Sequence, residues 1–282
     1  MAYGALSAAG ALAAERNWTV AGNTLKIVTP CAKAVTIEPS ATLSGQIEVS
    51  ASADRKGEIE RLEVEGGSVA SIGIQDHRCK SGWPHLSLGL FHLGISTAPT
   101  LALTVKVPAG IAIDISEANV ADYEIGPVGG QLMLDISGSG DVSADDAKDP
   151  IIHISGSGGA ALEHVVGRVE AHLSGSGDLR IGHAEAASAD LRDSGSGDIG
   201  VDEGDFSAVT ARLSGSGSLS LGEGKIGSLT VASSGNSDVD VDATITDADL
   251  SVTGSGGIRL HQVTGQLKQS RHGSGSIEIE SR

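Results

Sequence analysis

Residues 171–181 read AHLSGSGDLRI, and residues 191–201 read LRDSGSGDIGV. The same sentence returns along the chain. Gly-Ser-Gly starts at Gly138, Gly156, Gly175, Gly195, Gly215, Gly254 and Gly273, and Gly235-Asn236-Ser237 fills the remaining gap. The intervals are 18, 19, 20, 20, 20, 19 and 19 residues. Around each motif, apolar and polar residues alternate. Positions four and six after the first glycine hold pairs such as Val142 and Ala144, Leu179 and Ile181, and Leu219 and Leu221. Positions two and four before it hold Ile136 and Leu134, Leu173 and Ala171, and Leu213 and Ala211. A period of two is the mark of a strand with one buried face. A third apolar position follows at Val166, Phe206, Ile226, Ile245 and Val263.

Strands repeating every ~20 residues, with no room for a crossover helix, predict stacked coils. The fold class is all-β: a right-handed parallel β-helix, or solenoid, with coils of ~19–20 residues and an irregular N-terminal β region. The corners are Gly138, Gly140, Gly156, Gly158, Gly175, Gly177, Gly195, Gly197, Gly215, Gly217, Gly235, Gly254, Gly256, Gly273 and Gly275. Glycine there suits either a positive φ or a close backbone approach. The middle serines are expected to stack as a hydroxyl ladder, with a second polar column just before the first glycine.

Three regions follow. Residues 1–14 carry no charge and include Ala11-Leu12-Ala13, a small-x-small cleavage pattern, so they read as a signal-peptide-like segment. Residues 15–110 read as irregular β coils or a capping lobe, with strands at 34–37, 46–49, 59–64, 68–74 and 101–107. Residues 111–282 are the regular Gly-Ser-Gly β-helix. No apolar run is long enough for a transmembrane segment. Gln269 and Arg271 occupy inward positions of the last coil, where charge guards an open edge.

Composition narrows the functions. Acidic residues number 36 against 19 basic ones, a net charge of −17, which argues against nucleic acid. Six aromatics in 282 residues leave no stacking platform for bases or sugars. Glycine, at 40 residues, is about twice its usual ~7% share. Two cysteines, Cys31 and Cys79, would be able to pair in an oxidising compartment; two separate thiols is the other reading.

The repeated blocks, such as 174–178 and 194–198 (SGSGD), with the lead-in LTVKVP at 103–108 and LDISGSGDV at 134–142, resemble the head GIN domain family of adhesin-like bacterial envelope proteins. That resemblance covers roughly residues 30–280. It implies an exported right-handed β-helix with no catalytic residues to carry over.

Four candidate chemistries remain. Asp141, Asp178, Asp198 and Asp238 follow the corner motif. Such spacing is similar to calcium-binding β-rolls, with Asp178 and Asp198 adjacent in the stack. Calcium needs six to eight oxygens, and the alternative is an Asx-type turn. An outward ladder three residues before each motif holds Asp135, His153, His172, Arg192 and Arg212, with Glu170 and Asp190 beside it. Stacked imidazoles with a carboxylate suit zinc or copper, and the same residues also make a surface charge lattice. Asp193 falls at an inward position, and a bulge turning it outward is the expected account. A carbohydrate-active lyase or hydrolase would need clustered acids in a long groove.

The expectation is a non-enzymatic, exported structural or adhesin-like binding module of the periplasm or cell surface. It calls for no cofactor. Its partners would be a glycan or an envelope protein, and its solenoid ends offer a route to homo-oligomers. The ladder His153, His172, Glu170, Asp190, Arg192 and Arg212 is the candidate ligand surface.

Overall fold

A computed structural model describes residues 13–75, 79, 85–88, 91–94 and 98–281. The signal-peptide-like segment, except its last two residues, lies outside them. About 70% of the chain is strand, wound into a parallel β-solenoid of about nine turns with about 19 residues per turn.

The N-terminal third holds β1 (Ala14–Ala21), β2 (Thr24–Val28), β3 (Ala34–Ser40), β4 (Gln46–Ala53), a helical turn α1 (Lys56–Glu60), β5 (Leu62–Glu65), β6 (Val69–Ile74), β7 (His85–Leu88), β8 (Phe91–Gly94) and β9 (Ala102–Pro108). Then come β10 (Ala112–Glu117), β11 (Asp122–Ile125), β12 (Gln131–Ile136), β13 (Val142–Ile154), β14 (Ala160–Leu173), β15 (Leu179–Asp193), β16 (Ile199–Leu213), β17 (Ser218–Gly235), β18 (Asp238–Gly254), β19 (Gly257–Val263), β20 (Leu267–Gly273) and β21 (Ser276–Ser281).

From β12 onward, coils stack in chain order and in register. Ile154, Leu173, Asp193, Leu213 and Ser233 form one column, and Leu179, Ile199 and Leu219 another. Inward columns are dry: Leu134, Ile136, Ile152, Ala171 and Ala211 are fully buried. Packing of this kind needs small aliphatic layers, and few rings fit.

The first coils do not follow chain order. β2 lies between β6 and β10, and β3 lies between β9 and β11, all parallel. The coil made by β6 and β9 is therefore outermost, although it comes later in sequence. Its outer edges are covered by antiparallel partners, β5 on β6 and β4 on β9, with β1 beyond β4. Covering these edges removes a template for unwanted strand pairing.

Two local expectations change. Residues 59–64 do not form one strand: α1 ends at Glu60 and β5 starts at Leu62. A helical turn places Ile59 and Leu62, three residues apart, both in the core, at 4% and 5% exposure. Val166 is not an inward residue. It is 47% exposed while Val165 is buried, because Glu163 and His164 both face outward after the buried Leu162, which breaks the alternation by one residue and stacks Val166 between Lys148 and Glu185. An odd insertion flips every side chain to the other face.

At the corners, close approach decides the glycines. A Cβ on Gly156, Gly158, Gly175, Gly177, Gly195, Gly197, Gly215 or Gly217 would stand 1.8–2.1 Å from the carbonyl oxygen of the matching glycine one coil earlier. Positive φ adds to this only in the later copies, at Gly235, Gly254 and Gly273. From Ser157 onward each middle residue donates its backbone N–H to the first glycine's carbonyl in the coil before it, as in Ser196 to Gly175 at 2.9 Å and Ser216 to Gly195 at 3.0 Å. The column before the first glycine bonds to backbone, and a hydroxyl-to-hydroxyl contact joins the middle serines of the last two coils. Ser137, Ser194 and Ser234 hydroxyls donate to carbonyls of the preceding coil at 3.3–3.5 Å, while Ser255 and Ser274 meet each other at 3.4 Å. In the last coil Gln269 and Arg271 are exposed, and Arg271 donates to the Gly275 carbonyl at 3.3 Å.

Candidate functional site

Strand parity turns the residues three before each corner outward, and parallel register stacks them. Asp135, His153, His172, Arg192, Arg212 and Ala232 stand in one column over successive coils. Beside them run Ser155, Ser174, Ser194, Ser214 and Ser234. Between the two columns lies an open groove of about 670 Å³. The ladder read from sequence is thus brought together along one face.

The column on its other side contains Ile151, Glu170, Asp190 and Thr210. Asp190 accepts two hydrogen bonds from Arg192, at 3.1 and 2.7 Å, and lies 3.7 Å from Arg212. One acid therefore orients two guanidinium groups at the groove. His153 and His172 stack with ring centroids 5.2 Å apart, and Glu170 Oε1 is 3.6 Å from His172 Nε2. In a chain of net charge −17, this strip sets two arginines and two imidazoles among the acids Asp135, Glu170 and Asp190.

The corner aspartates have a structural task. Asp141 accepts from Gly159 N–H at 2.7 Å, Asp178 from Asp198 N–H at 2.8 Å, and Asp238 from Gly257 N–H at 2.7 Å. Asp198 accepts from both the N–H and the hydroxyl of Ser218, each at 2.7 Å. Each carboxylate reaches the residue stacked directly on it, so the bond ties coil to coil and is not the Asx turn within one coil. A short acid spans the ~4.8 Å coil spacing and satisfies an amide where the ladder is interrupted. Asp149, Asp205 and Asp247 likewise tie coil to coil away from this corner, with Arg168, Lys225 and Gln266 amides at 2.9, 2.9 and 2.7 Å. Sequence reading missed that second set, for which a short acid one coil before each donor amide was the available signal. Asp178 and Asp198 join no group of three or more converging ligands among the described residues.

Asp193 is not bulged outward. It stays in register between Leu173 and Leu213, is 2% exposed, and accepts from Gly195 N–H at 2.8 Å. Its Oδ2 is buried without a partner and lies where a Cβ on Gly217 would be 2.5 Å away. The acid stays inward because it caps the corner two residues on. Burial pushes its pKa up, the Gly195 bond opposes this, and Asp198 adds to the rise.

Glu117 occupies the same column at the first corner and was missed. Its inward place was readable, since Ile111, Ile113, Ile115 and Glu117 share one parity. It is 1% exposed, accepts from Asn119 N–H at 2.5 Å and from the Tyr123 hydroxyl at 2.8 Å. Burial raises its pKa against those bonds, and burial with the neighbouring carboxylate raises that of Tyr123 well above its usual range. Nearby, Cys31 and Cys79 are joined by a disulfide with Cα atoms 5.4 Å apart, and Asn119 Nδ2 donates to Cys79 Sγ at 2.9 Å.

No helix among the described residues is long and apolar enough to cross a membrane. The family model described as Toastrack DUF4097 matches residues 23–282. No curated protein matches the chain by sequence. Among solved structures, it is similar to a candidate adhesin of Parabacteroides distasonis, at TM-score 0.62 and 17% identity, covering 95% of this chain and 97% of that one. A candidate adhesin of Bacteroides fragilis gives TM-score 0.55, 15% identity and coverage of 95% and 97%. A candidate lipid-binding protein of Parabacteroides distasonis gives 0.53, 15%, and 95% and 96%. At these identities the likeness concerns the fold.

Proposed function

We propose that this chain, which belongs to the Toastrack DUF4097 family, is a non-enzymatic binding module exported to the bacterial cell envelope, with the groove beside His153, His172, Arg192 and Arg212 as its ligand surface. The ligand class that fits is an anionic glycan. Hydroxyls of the serine column suit sugar hydroxyls, and Arg192 and Arg212 suit carboxylate or phosphate groups. The adhesin-like neighbours and the head GIN likeness of the SGSGD blocks support export and binding. The disulfide fits an oxidising compartment.

The observation that carries this reading is the continuous groove with two oriented arginines on a strongly acidic protein. The placement of the acids lining the groove also favours binding over the glycosidase alternative. Asp135 and Asp193, the two acids lining the groove, stand three coils apart, about 14 Å along the stack at ~4.8 Å per coil. Paired glycosidase carboxyls stand about 5–9.5 Å apart. Asp190 is engaged by Arg192 and Arg212.

The test is a glycan array with the purified chain, alongside envelope fractionation. Retention on acidic glycans, lost in an Arg192→Ala, Arg212→Ala double variant, supports the reading. Binding to no glycan, a purely cytoplasmic location, or release of reducing ends from a polysaccharide would sink it.

A further inference from the structure

The end of the groove nearest Asp135 holds a donor set of a different kind. His153, Glu170 and His172 each bring one ligating atom to within 4.8 Å of one another. The imidazoles come from consecutive coils in direct register, stacked at 30° between planes. Glu170 lies two residues before His172 on the same strand, so both side chains leave the same face. Its Oε1 stops 3.6 Å from His172 Nε2, too far for a hydrogen bond. That nitrogen is closed off from solvent and has no hydrogen-bond partner. A shielded, unsatisfied imidazole nitrogen facing a carboxylate is an expensive arrangement that a cation would relieve.

We infer that His153, Glu170 and His172 bind a divalent first-row metal ion of the zinc and copper class. Two imidazoles and one carboxylate are ligands these ions accept, at about 2.0–2.2 Å, which sets donor separations near ~3.3 Å in a tetrahedral site. The His172–Glu170 pair is already close to that spacing. His153 is exposed and closes the set by turning its ring. Three protein ligands leave a fourth position open toward the groove. Parallel stacking explains how two residues 19 apart in sequence become neighbours.

The other described histidine pair lacks this arrangement. His164 and His183 rings lie 6.4 Å apart and edge to face. The two nitrogens of His183 face different acids, Nε2 toward Glu185 at 3.6 Å and Nδ1 toward Glu203 at 3.5 Å. His183 is therefore a control.

The site does not depend on what fills the rest of the groove, and its test uses metal ions alone. The full chain is titrated calorimetrically with Zn²⁺ and with Cu²⁺, and the Cu²⁺ form is examined by electron paramagnetic resonance. Expected are one high-affinity ion per chain, hyperfine coupling to two imidazole nitrogens, and at least tenfold weaker binding in His172→Ala, His153→Ala and Glu170→Gln. His183→Ala keeps the affinity. His153 is exposed, so its variant retains the β circular dichroism even if His172→Ala does not. Absence of stoichiometric binding, coupling to fewer than two imidazoles, or loss in His183→Ala in place of His153→Ala would overturn the assignment.

Discussion

Two glycines in one coil, three residues apart, separate steric necessity from mere flexibility. At Gly197 a Cβ would lie 2.0 Å from the Gly177 carbonyl oxygen, whereas ordinary contact begins at 3.4 Å. The coils would have to part by about 1.4 Å at that corner. Such an opening removes the Ser196–Gly175 hydrogen bond and the bond from Asp198 N–H to the Asp178 carboxylate, now 2.9 and 2.8 Å. Each is worth about 1 kcal/mol net. Overpacking strain adds about 1–3 kcal/mol. Gly197→Ala is therefore expected to cost about 3–5 kcal/mol. At Gly200 nothing lies within 4 Å and φ is not positive. Gly200→Ala should be neutral or stabilising by up to about 1 kcal/mol, because glycine weakens a strand relative to alanine. Urea unfolding followed by circular dichroism measures both. Equal midpoints for the two variants would refute the close-approach account of the corners.

Other outcomes follow from the acids and the disulfide. Asp193→Asn keeps the acceptor for Gly195 and removes a buried charge, so it should stabilise the chain by about 1 kcal/mol at neutral pH. Because folding raises this pKa, the penalty is full above the folded-state pKa and fades as pH falls toward the unfolded value. The variant's advantage should shrink in acid, and an advantage that grows there would contradict the assignment. Asp198→Ala loses bonds from Ser218 N–H and hydroxyl and should cost about 1–2 kcal/mol, with the melt insensitive to EDTA. A melt lowered by EDTA and restored by Ca²⁺ would restore the calcium reading. Reducing the Cys31–Cys79 bond, which closes a 48-residue separation, should cost up to about 4 kcal/mol by chain entropy. An unchanged melting temperature after reduction would count against that.

The regular stack was legible because one twenty-residue sentence repeats, and repetition converts sequence offset directly into spatial register. The groove ladder was legible for the same reason: a constant offset from Gly-Ser-Gly puts His153, His172, Arg192 and Arg212 in one column. The N-terminal order was not, since β2 finds its partners β6 and β10 far along the chain without any repeated motif to mark them. Val166 misled because the extra outward residue between Leu162 and Val165 inverts parity. Asp193 misled for another reason. Burial alone argues against an inward acid, but the corner amide of Gly195 supplies a partner that alternation cannot reveal. Glu117 does the same at Asn119, so the column before the corner tolerates acids where they cap the turn.

The central claim is that ligand engages the His–Arg face. Amide hydrogen exchange of the chain, with and without a saturating acidic glycan retained on the array, tests it most directly. Protection confined to residues 153–155, 172–174, 192–194 and 212–214 is the predicted result. Protection on another face of the solenoid, with these segments unchanged, would contradict it.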